Sequence, residues 1–360
     1  MKIFFVGTRG IPNIMGGVES HCEELAPRLA ELGYDITVVR RDSYVTQPLT
    51  SWRGVRLIDV ASPKIKAFEA IVHTFRAINV AKREGADIVH IHAIGPALLT
   101  PYARLLGMKV LFTHHGPDYD RDKWGFMAKS VLKIGERMGV AFANRVIVIS
   151  NVIKELVRRK YGRQDGVELI RNGVSAAHNI ESDNFLQSIG VERRGYLLAM
   201  CRFVPEKNLH HLIEAYSRLR GDKVKLVIAG DADFEDSYSV ELKRKAKECG
   251  VILTGVVKGE KKSELLSWAR AFVLPSSHEG LPIALLEAMS YSLPVVVSDI
   301  PANLEVELPS ESYFRCGDIE ELKLRLQNMM EEPFVSVEYN MSIYNWDKIA
   351  GDVAGVYDSL

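Results

Sequence analysis

Two glutamates stand eight positions apart in the stretch SSHEGLPIALLEAMS, Ser276 to Ser290: Glu279 before Gly280 and Pro282, and Glu287 after them. Pro282 suits the first turn of a helix. The unpaired N–H groups of such a turn, approached closely across Gly280, make an anion site. Carboxylates do not bind phosphate, but they accept hydrogen bonds from sugar hydroxyls. A ligand with a sugar on each side of a diphosphate satisfies all three features, with a hexose at Glu279, phosphates at the helix tip and ribose at Glu287. The bland reading makes Glu279 a dipole-favoured residue and Glu287 a surface position. Glu287, however, sits among Ile283, Ala284, Leu285, Leu286, Ala288 and Met289, an odd place for it if packing were its only task.

A diphosphate needs cations. MCRFVPEKN supplies Arg202 and Lys207 in a loop between a strand and a helix, where they would neutralise a leaving diphosphate. In THHGP, Thr113, His114 and His115 end another strand, and a histidine there serves as a polar contact or a proton carrier. No further residues at suitable spacing complete a metal site, and Asp231 and Asp233 read as a loop cap. The glycine-rich GTRGIPNIMGGVES, Gly7 to Ser20, is not a dinucleotide fingerprint, although Gly16 and Gly17 at a helix start would admit a phosphate.

The elements that position these residues alternate. Strand-like runs at 2–6, 35–40, 55–60, 87–92, 109–113, 145–149 and 167–170 are separated by helical patterns. A polar, turn-rich stretch from Arg171 to Phe185 follows, and a second alternation begins at Tyr196. Pro27 should kink the first helix, and Gly33 should stop it. The pattern predicts an α/β protein with two Rossmann-like domains facing across a cleft: residues 1–180, then 181–335, with a C-terminal helical segment, 336–360, returning to the first domain. A length of 360 residues suits two domains, and 47% apolar with 26% charged residues is a globular composition. No apolar run reaches the ~18–20 residues of a membrane span. MKIFFVGTRGIP reads as a first strand and not a signal peptide, and four scattered cysteines (Cys22, Cys201, Cys249, Cys316) favour a reducing cytoplasm.

The zero formal charge divides unevenly: 26 Lys+Arg against 17 Asp+Glu in residues 1–180, and 20 against 29 in 181–360. Attraction between domains accounts for this as readily as different partners. Ser62–Glu84 and Arg121–Gly139 both mix basic and apolar residues. In the second, Trp124, Met127, Val131, Ile134 and Met138 recur at helical spacing among Lys123, Lys129, Lys133 and Arg137. The ordinary expectation is a core-facing stripe with a solvated face. The alternative is a surface helix that meets anionic lipid.

Taken in order, GGVE (Gly16–Glu19), IRNGV (Ile170–Val174), RFVPEKN (Arg202–Asn208), LTGVV (Leu253–Val257) and PSSHEGLPIALLEAMSYSLPVVVSD resemble the retaining glycosyltransferases of family 4, which have the two-domain GT-B fold. The likeness covers nearly the whole chain. GTRGIPNIMGGVES and THHGPDYDRDKWG look like a bacterial subgroup that builds surface polysaccharides. The resemblance implies a nucleotide-diphosphate sugar donor and a saccharide acceptor that is often lipid-linked, with peripheral membrane contact. It implies no metal or other cofactor, and nucleic-acid binding finds no motif beyond the basic first half. It implies that Glu279 holds the hexose, Glu287 the ribose, and Arg202 and Lys207 the diphosphate with the backbone N–H of Gly280 and Leu281. His115, not His114, would touch the donor sugar, Gly16 and Gly17 would close over the phosphates, and Gly255, Val256 and Val257 would line the nucleobase pocket. Ser292 stands where the family often has glycine, a position that serves helix–strand packing.

Three other classes fit less well. An isomerase of similar architecture would need acid/base carboxylates that the first half does not supply. An NADP-dependent oxidoreductase is suggested only by Arg40 and Arg41, and a non-catalytic carbohydrate binder would not need both cations and both glutamates.

Overall fold

The computed structural model describes residues 1–14, 16–45, 47–63, 66–120, 125–219, 224–233 and 235–360. Lys123 and Trp124 of the basic, apolar stretch lie outside the described residues. The chain forms two compact units, Met1–Gly173 with Ile343–Leu360, and Val174–Ser342. The first break therefore falls at 173/174, not at 180/181, and the returning segment begins at Ile343, not at 336.

The first unit holds one eight-stranded sheet. Its strands are β1 (Lys2–Val6), β2 (Asp35–Arg41), β3 (Ser51–Trp52), β4 (Val55–Val60), β5 (Ile88–His92), β6 (Lys109–His114), β7 (Arg145–Val148) and β8 (Val167–Leu169). They lie in the order β3-β4-β2-β1-β5-β6-β7-β8, parallel except for β3 against β4. Helices α1 (Gly17–Glu31), α2 (Lys66–Arg83), α3 (Thr100–Leu105), α4 (Phe126–Phe142) and α5 (Asn151–Tyr161) connect them. The second unit has β9 (Tyr196–Met200), β10 (Lys225–Ala229), β11 (Ile252–Gly255), β12 (Ala271–Leu274), β13 (Val295–Ser298) and β14 (Tyr313–Phe314), parallel throughout, in the order β11-β10-β9-β12-β13-β14. Its helices are α6 (Asn184–Ser188), α7 (Leu209–Ser217), α8 (Ser237–Glu248), α9 (Gly259–Trp268), α10 (Ile283–Ser290), α11 (Pro301–Leu304) and α12 (Ile319–Glu331).

Parallel strands covered on both faces must be apolar nearly throughout. Ile3–Val6, Val110–Phe112, Leu197–Ala199, Leu226–Ala229, Phe272–Leu274 and Val295–Val297 are accordingly buried. The last helix, α13 (Trp346–Asp358), belongs to the first unit. It sets Trp346, Ile349, Ala350, Val353, Val356 and Tyr357 into the same core as Cys22, Leu25, Ala26 and Leu29 of α1.

One local expectation holds and one is revised. Helix α1 contains Pro27 and ends at Glu31, just before Gly33 in a left-handed conformation (φ 94°). The apolar stripe of α4 does not face the core. Phe126, Met127 (82% exposed), Val131 and Ile134 (50%) point to solvent, and the buried face is Gly135, Glu136, Gly139 and Val140. The two glycines decide this rotation. A Cβ on Gly135 would strike the carbonyl oxygen of Ile94, and one on Gly139 would come 2.8 Å from Ala97 and 2.9 Å from Phe112. Close approach outweighs the apolar pattern there.

Helix α10 ends in a Schellman turn: the N–H of Leu293 donates to Ala288 O (3.2 Å) and that of Ser292 to Met289 O (2.9 Å). Ser292 sits at the left-handed position with φ 55°. That conformation costs an L-residue about 1 kcal/mol more than glycine. We expect Ser292→Gly to raise stability by about 0.5–1 kcal/mol in urea denaturation, and an unchanged or lowered midpoint would contradict the strain at this turn.

Candidate functional site

In an open parallel sheet ligands collect where the strand order reverses, beyond the strand C-termini. In the second unit that point lies between β9 and β12. The loop after β9 carries Arg202, Glu206, Lys207 and Asn208, and the loop after β12 carries Ser276 to Pro282. Hydrogen bonds tie the two loops together. The N–H of Ser277 donates to Glu206 O (2.9 Å), and Asn208 Nδ2 donates to Pro275 O (3.2 Å). Across this seam the Lys207 ammonium pairs with the Glu279 carboxylate, both largely buried. Arg202 Nη1 donates to Asp233 Oδ2 at 3.0 Å. Asp231 does serve its own loop, accepting from the N–H of Ala232 (2.8 Å), but Asp233 is the counter-ion of Arg202 and not merely a cap.

Pro282 is the N-cap residue of α10, one position ahead of the expected first turn, and among the described residues no side-chain cap bond is formed there. Leu281 is buried. Gly280 lies one residue from Glu279, so the carboxylate and the helix tip share one short segment. Glu287, inside α10, accepts from Lys262 Nζ of α9 at 2.8 Å. Gly255 closes β11 in a left-handed conformation (φ 69°), with Val256 exposed after it and Val257 partly buried. Its carbonyl accepts from the N–H of Gly230 at 2.8 Å, joining the loops after β10 and β11.

His115, Gly16 and Gly17 lie in the first unit, whose strand order reverses between β1 and β5. Gly7, just after β1, has φ 96°, and a Cβ there would meet the carbonyl oxygen of His92 at the end of β5. The loop that follows is fastened by Glu19 in the first turn of α1. Its Oε1 accepts from the backbone N–H of Arg9 (3.0 Å) and from Thr8 Oγ1 (3.3 Å). A Cβ on Gly16 would collide with the Glu19 carboxylate, whereas Gly17 faces open space. At the start of α1 Gly17 is exposed and Gly16 partly buried.

The two histidines after β6 part company. His114 is fully buried; its Nε2 donates to Glu136 Oε1 (2.9 Å), and its Nδ1 accepts from the N–H of Gly116 (3.1 Å). Burial alone would raise the Glu136 carboxyl. Hydrogen bonds from His114, Lys160 and Tyr161 override burial and hold it at about 2. His114 is therefore a structural group that fixes the loop. His115 turns the other way, into a cluster of imidazoles. Its Nε2 lies 3.1 Å from His92 Nδ1, and its ring lies 4.9 Å, edge to face, from His21 of α1. His21 Nδ1 in turn meets Asn172 Oδ1 at 3.1 Å. His90 bonds both Tyr357 and Thr113 at 2.7 Å. Burial pushes His21 down to about 4 against the opposing bond to Asn172, and drives His90, His92 and His115 well below the ordinary imidazole range.

Sequence reasoning missed His21, His90, His92 and Lys262, and read Asp233 only as part of a loop cap. Only the pair in HIH offered a signal, since residues two apart on a strand share a face.

Two parallel, doubly wound units, the second with paired cations and carboxylates at its switch point, are the architecture of a GT-B glycosyltransferase. The comparisons agree. Residues 15–178 match the model "Glycosyltransferase Family 4", and residues 182–345 match "Glycosyl transferases group 1". The chain belongs to the glycosyltransferases that join a family-4-type domain to a group 1 domain. It is 26% identical to alpha-maltose-1-phosphate synthase of Mycolicibacterium smegmatis, over 99% of each chain. It is 30% identical to an Escherichia coli UDP-Gal:alpha-D-GlcNAc-diphosphoundecaprenol alpha-1,3-galactosyltransferase, over 66% of this chain and 64% of that one. The crystal structure of Anabaena HepE in complex with UDP and glucose superposes with a TM-score of 0.83 over the whole of both chains at 18% identity.

The imidazole cluster sets a pH dependence. Because His21 titrates at about 4 when folded and near 6.5 when unfolded, the unfolded chain binds more protons between those values. Stability is then complete above pH 6.5 and falls as the pH drops toward 4, by roughly 3 kcal/mol for this one group. Urea midpoints of the first unit should decline across that window, and His21→Gln should flatten the decline. An identical slope in the variant would contradict the assignment.

Proposed function

We propose that the chain is a retaining hexosyltransferase of family 4. It moves a hexose from a nucleotide-diphosphate sugar to a saccharide acceptor carried on a lipid, in the assembly of bacterial surface polysaccharide or lipopolysaccharide. One observation carries the reading: at the switch point of the second unit Lys207 and Arg202 are each held against a carboxylate, beside the start of α10. A diphosphate carries more charge than the carboxylate it replaces, and its oxygens make short charge-assisted bonds to ammonium and guanidinium. Its arrival draws Lys207 from Glu279 and leaves Glu279 to accept from the hexose hydroxyls. Glu287, held by Lys262, accepts from the ribose, and the turn at Gly255 to Val257 receives the base.

The bond from the anomeric carbon to the diphosphate oxygen breaks. The acceptor oxygen bonds to that carbon on the same face and loses its proton to the departing phosphate. No protein carboxylate is required as base. The charge that develops on the leaving group falls on Lys207, Arg202 and the amides of Gly280 and Leu281, and this role calls for no resident metal. One relative is named for a diphosphoundecaprenol-linked sugar, which supports the acceptor class, and the UDP bound to HepE supports the donor class.

A donor screen for nucleotide release, run with UDP-, GDP- and dTDP-hexoses and a pool of lipid-linked acceptors, tests the reaction. Glu279→Ala should abolish turnover, by at least a hundredfold, while leaving affinity for the nucleoside diphosphate intact or tighter. Lys207→Ala should weaken both. Equal loss of diphosphate binding in the two variants would contradict this division of roles.

The exposed residues of α4 support peripheral attachment at the cytoplasmic face of the membrane. Phe126, Met127, Val131 and Ile134 are interleaved with Lys129, Lys133 and Arg137. No helix among the described residues is long and apolar enough to cross a bilayer. Each basic residue near an anionic surface contributes ~1 kcal/mol. The chain should sediment with anionic vesicles at low salt, less at high salt, and less again as Phe126→Ser/Met127→Ser. No binding at either salt concentration would remove this part of the proposal.

A further inference from the structure

We propose that His21, His92 and His115 form a binding site for a transition-metal dication that prefers imidazole, with zinc the expected occupant. The three come from separate elements: the first turns of α1, the last residue of β5, and the residue after β6. One ligand nitrogen from each lies within 4.8 Å of the other two. His92 Nδ1 and His115 Nε2 are 3.1 Å apart. Two nitrogens on a tetrahedral zinc, each ~2.0–2.1 Å from the metal, stand about 3.3 Å apart, so this pair is already spaced for a shared ion.

Two further features fit a metal. His21 Nδ1 is occupied by Asn172, which leaves Nε2 as its ligand atom. This is the outer bond that orients a metal-binding imidazole. His21 and His92 are buried while His115 is only partly so, which gives an ion a side from which to enter. The burial that keeps these rings neutral at physiological pH also keeps their lone pairs free. Neutral nitrogen donors suit zinc, cobalt, nickel or copper, and do not suit magnesium or calcium, which take oxygen. Three histidines leave a fourth position open to water.

A metal here ties α1 to the ends of β5 and β6. This site is separate from the cations that serve the diphosphate, and the inference does not rest on the transferase reading. If His115 ligates through Nε2, its Nδ1 remains for the sugar contact that the family resemblance implies.

The test uses the full chain without a histidine tag, stripped of metal. Zn²⁺ is titrated against a chromophoric chelator, Co²⁺ is followed by its visible absorption, and Mg²⁺ serves as control. The expected result is one equivalent of zinc, tetrahedral cobalt bands and no response to magnesium. His21→Gln and His115→Gln should each weaken zinc binding at least tenfold, and Asn172→Ala should do so by about tenfold. Circular dichroism and thermal melts establish that each variant is folded, and the Asn172 change leaves all three ligands in place. Less than stoichiometric binding, or stoichiometric binding that none of these substitutions shifts, overturns the proposal.

Discussion

The second unit is organised around one ion pair. Lys207 and Glu279 lie on loops that follow β9 and β12, far apart in sequence but adjacent where the strand order reverses. Both side chains are mostly withdrawn from water, so each needs the other: a charge left alone at such a site costs roughly 3–5 kcal/mol. The backbone bond from Ser277 to Glu206 and the amide of Asn208 on Pro275 hold the two loops in register, so the pair forms without ordering long, free side chains. A ligand that takes the ammonium must also leave the carboxylate with something to do. The phosphorylated sugar proposed above would meet both demands, with anionic oxygens for Lys207 and hydroxyls for Glu279.

The same economy of placement appears in the first unit. Gly7 allows the end of β1 to press on the carbonyl of His92, and Glu19 draws the following loop back onto α1. His114 and His115 are neighbours in sequence with opposite duties, because successive residues at a strand end point to opposite sides. One is locked to Glu136, and the other joins His21 and His92. The C-terminal helix closes this region. Trp346 lies against His21, at 5.5 Å between rings, and so close to Gly173 that a Cβ there would overlap the indole.

Much of this was legible in the sequence. The alternation of apolar strands and helical patterns gave two doubly wound sheets, because parallel strands buried on both faces can be written in few ways. The helix start between Glu279 and Glu287 was legible for a different reason: a glycine and a proline punctuate it. The failures are those of long-range contact. Nothing local in α4 says that Gly135 and Gly139 face inward, because that choice is made by Ile94, Ala97 and Phe112. Lys262 and Asp233 are ordinary helix and loop charges until folding brings them to Glu287 and Arg202. His90 and His92 share a face of β5, and His21 joins them only when α1 packs against that strand's end. Ser292 is the converse case: its departure from glycine was visible in the sequence, but the reason for the preference is the left-handed turn that ends α10.

The most direct measurement is a crystal structure of the chain with the nucleoside diphosphate that binds it best. The account predicts the diphosphate at the start of α10, with Lys207 Nζ moved from Glu279 onto a phosphate oxygen and Glu279 left facing the vacant hexose position. A diphosphate bound elsewhere, or one seated there with the Lys207–Glu279 pair unbroken, would contradict it.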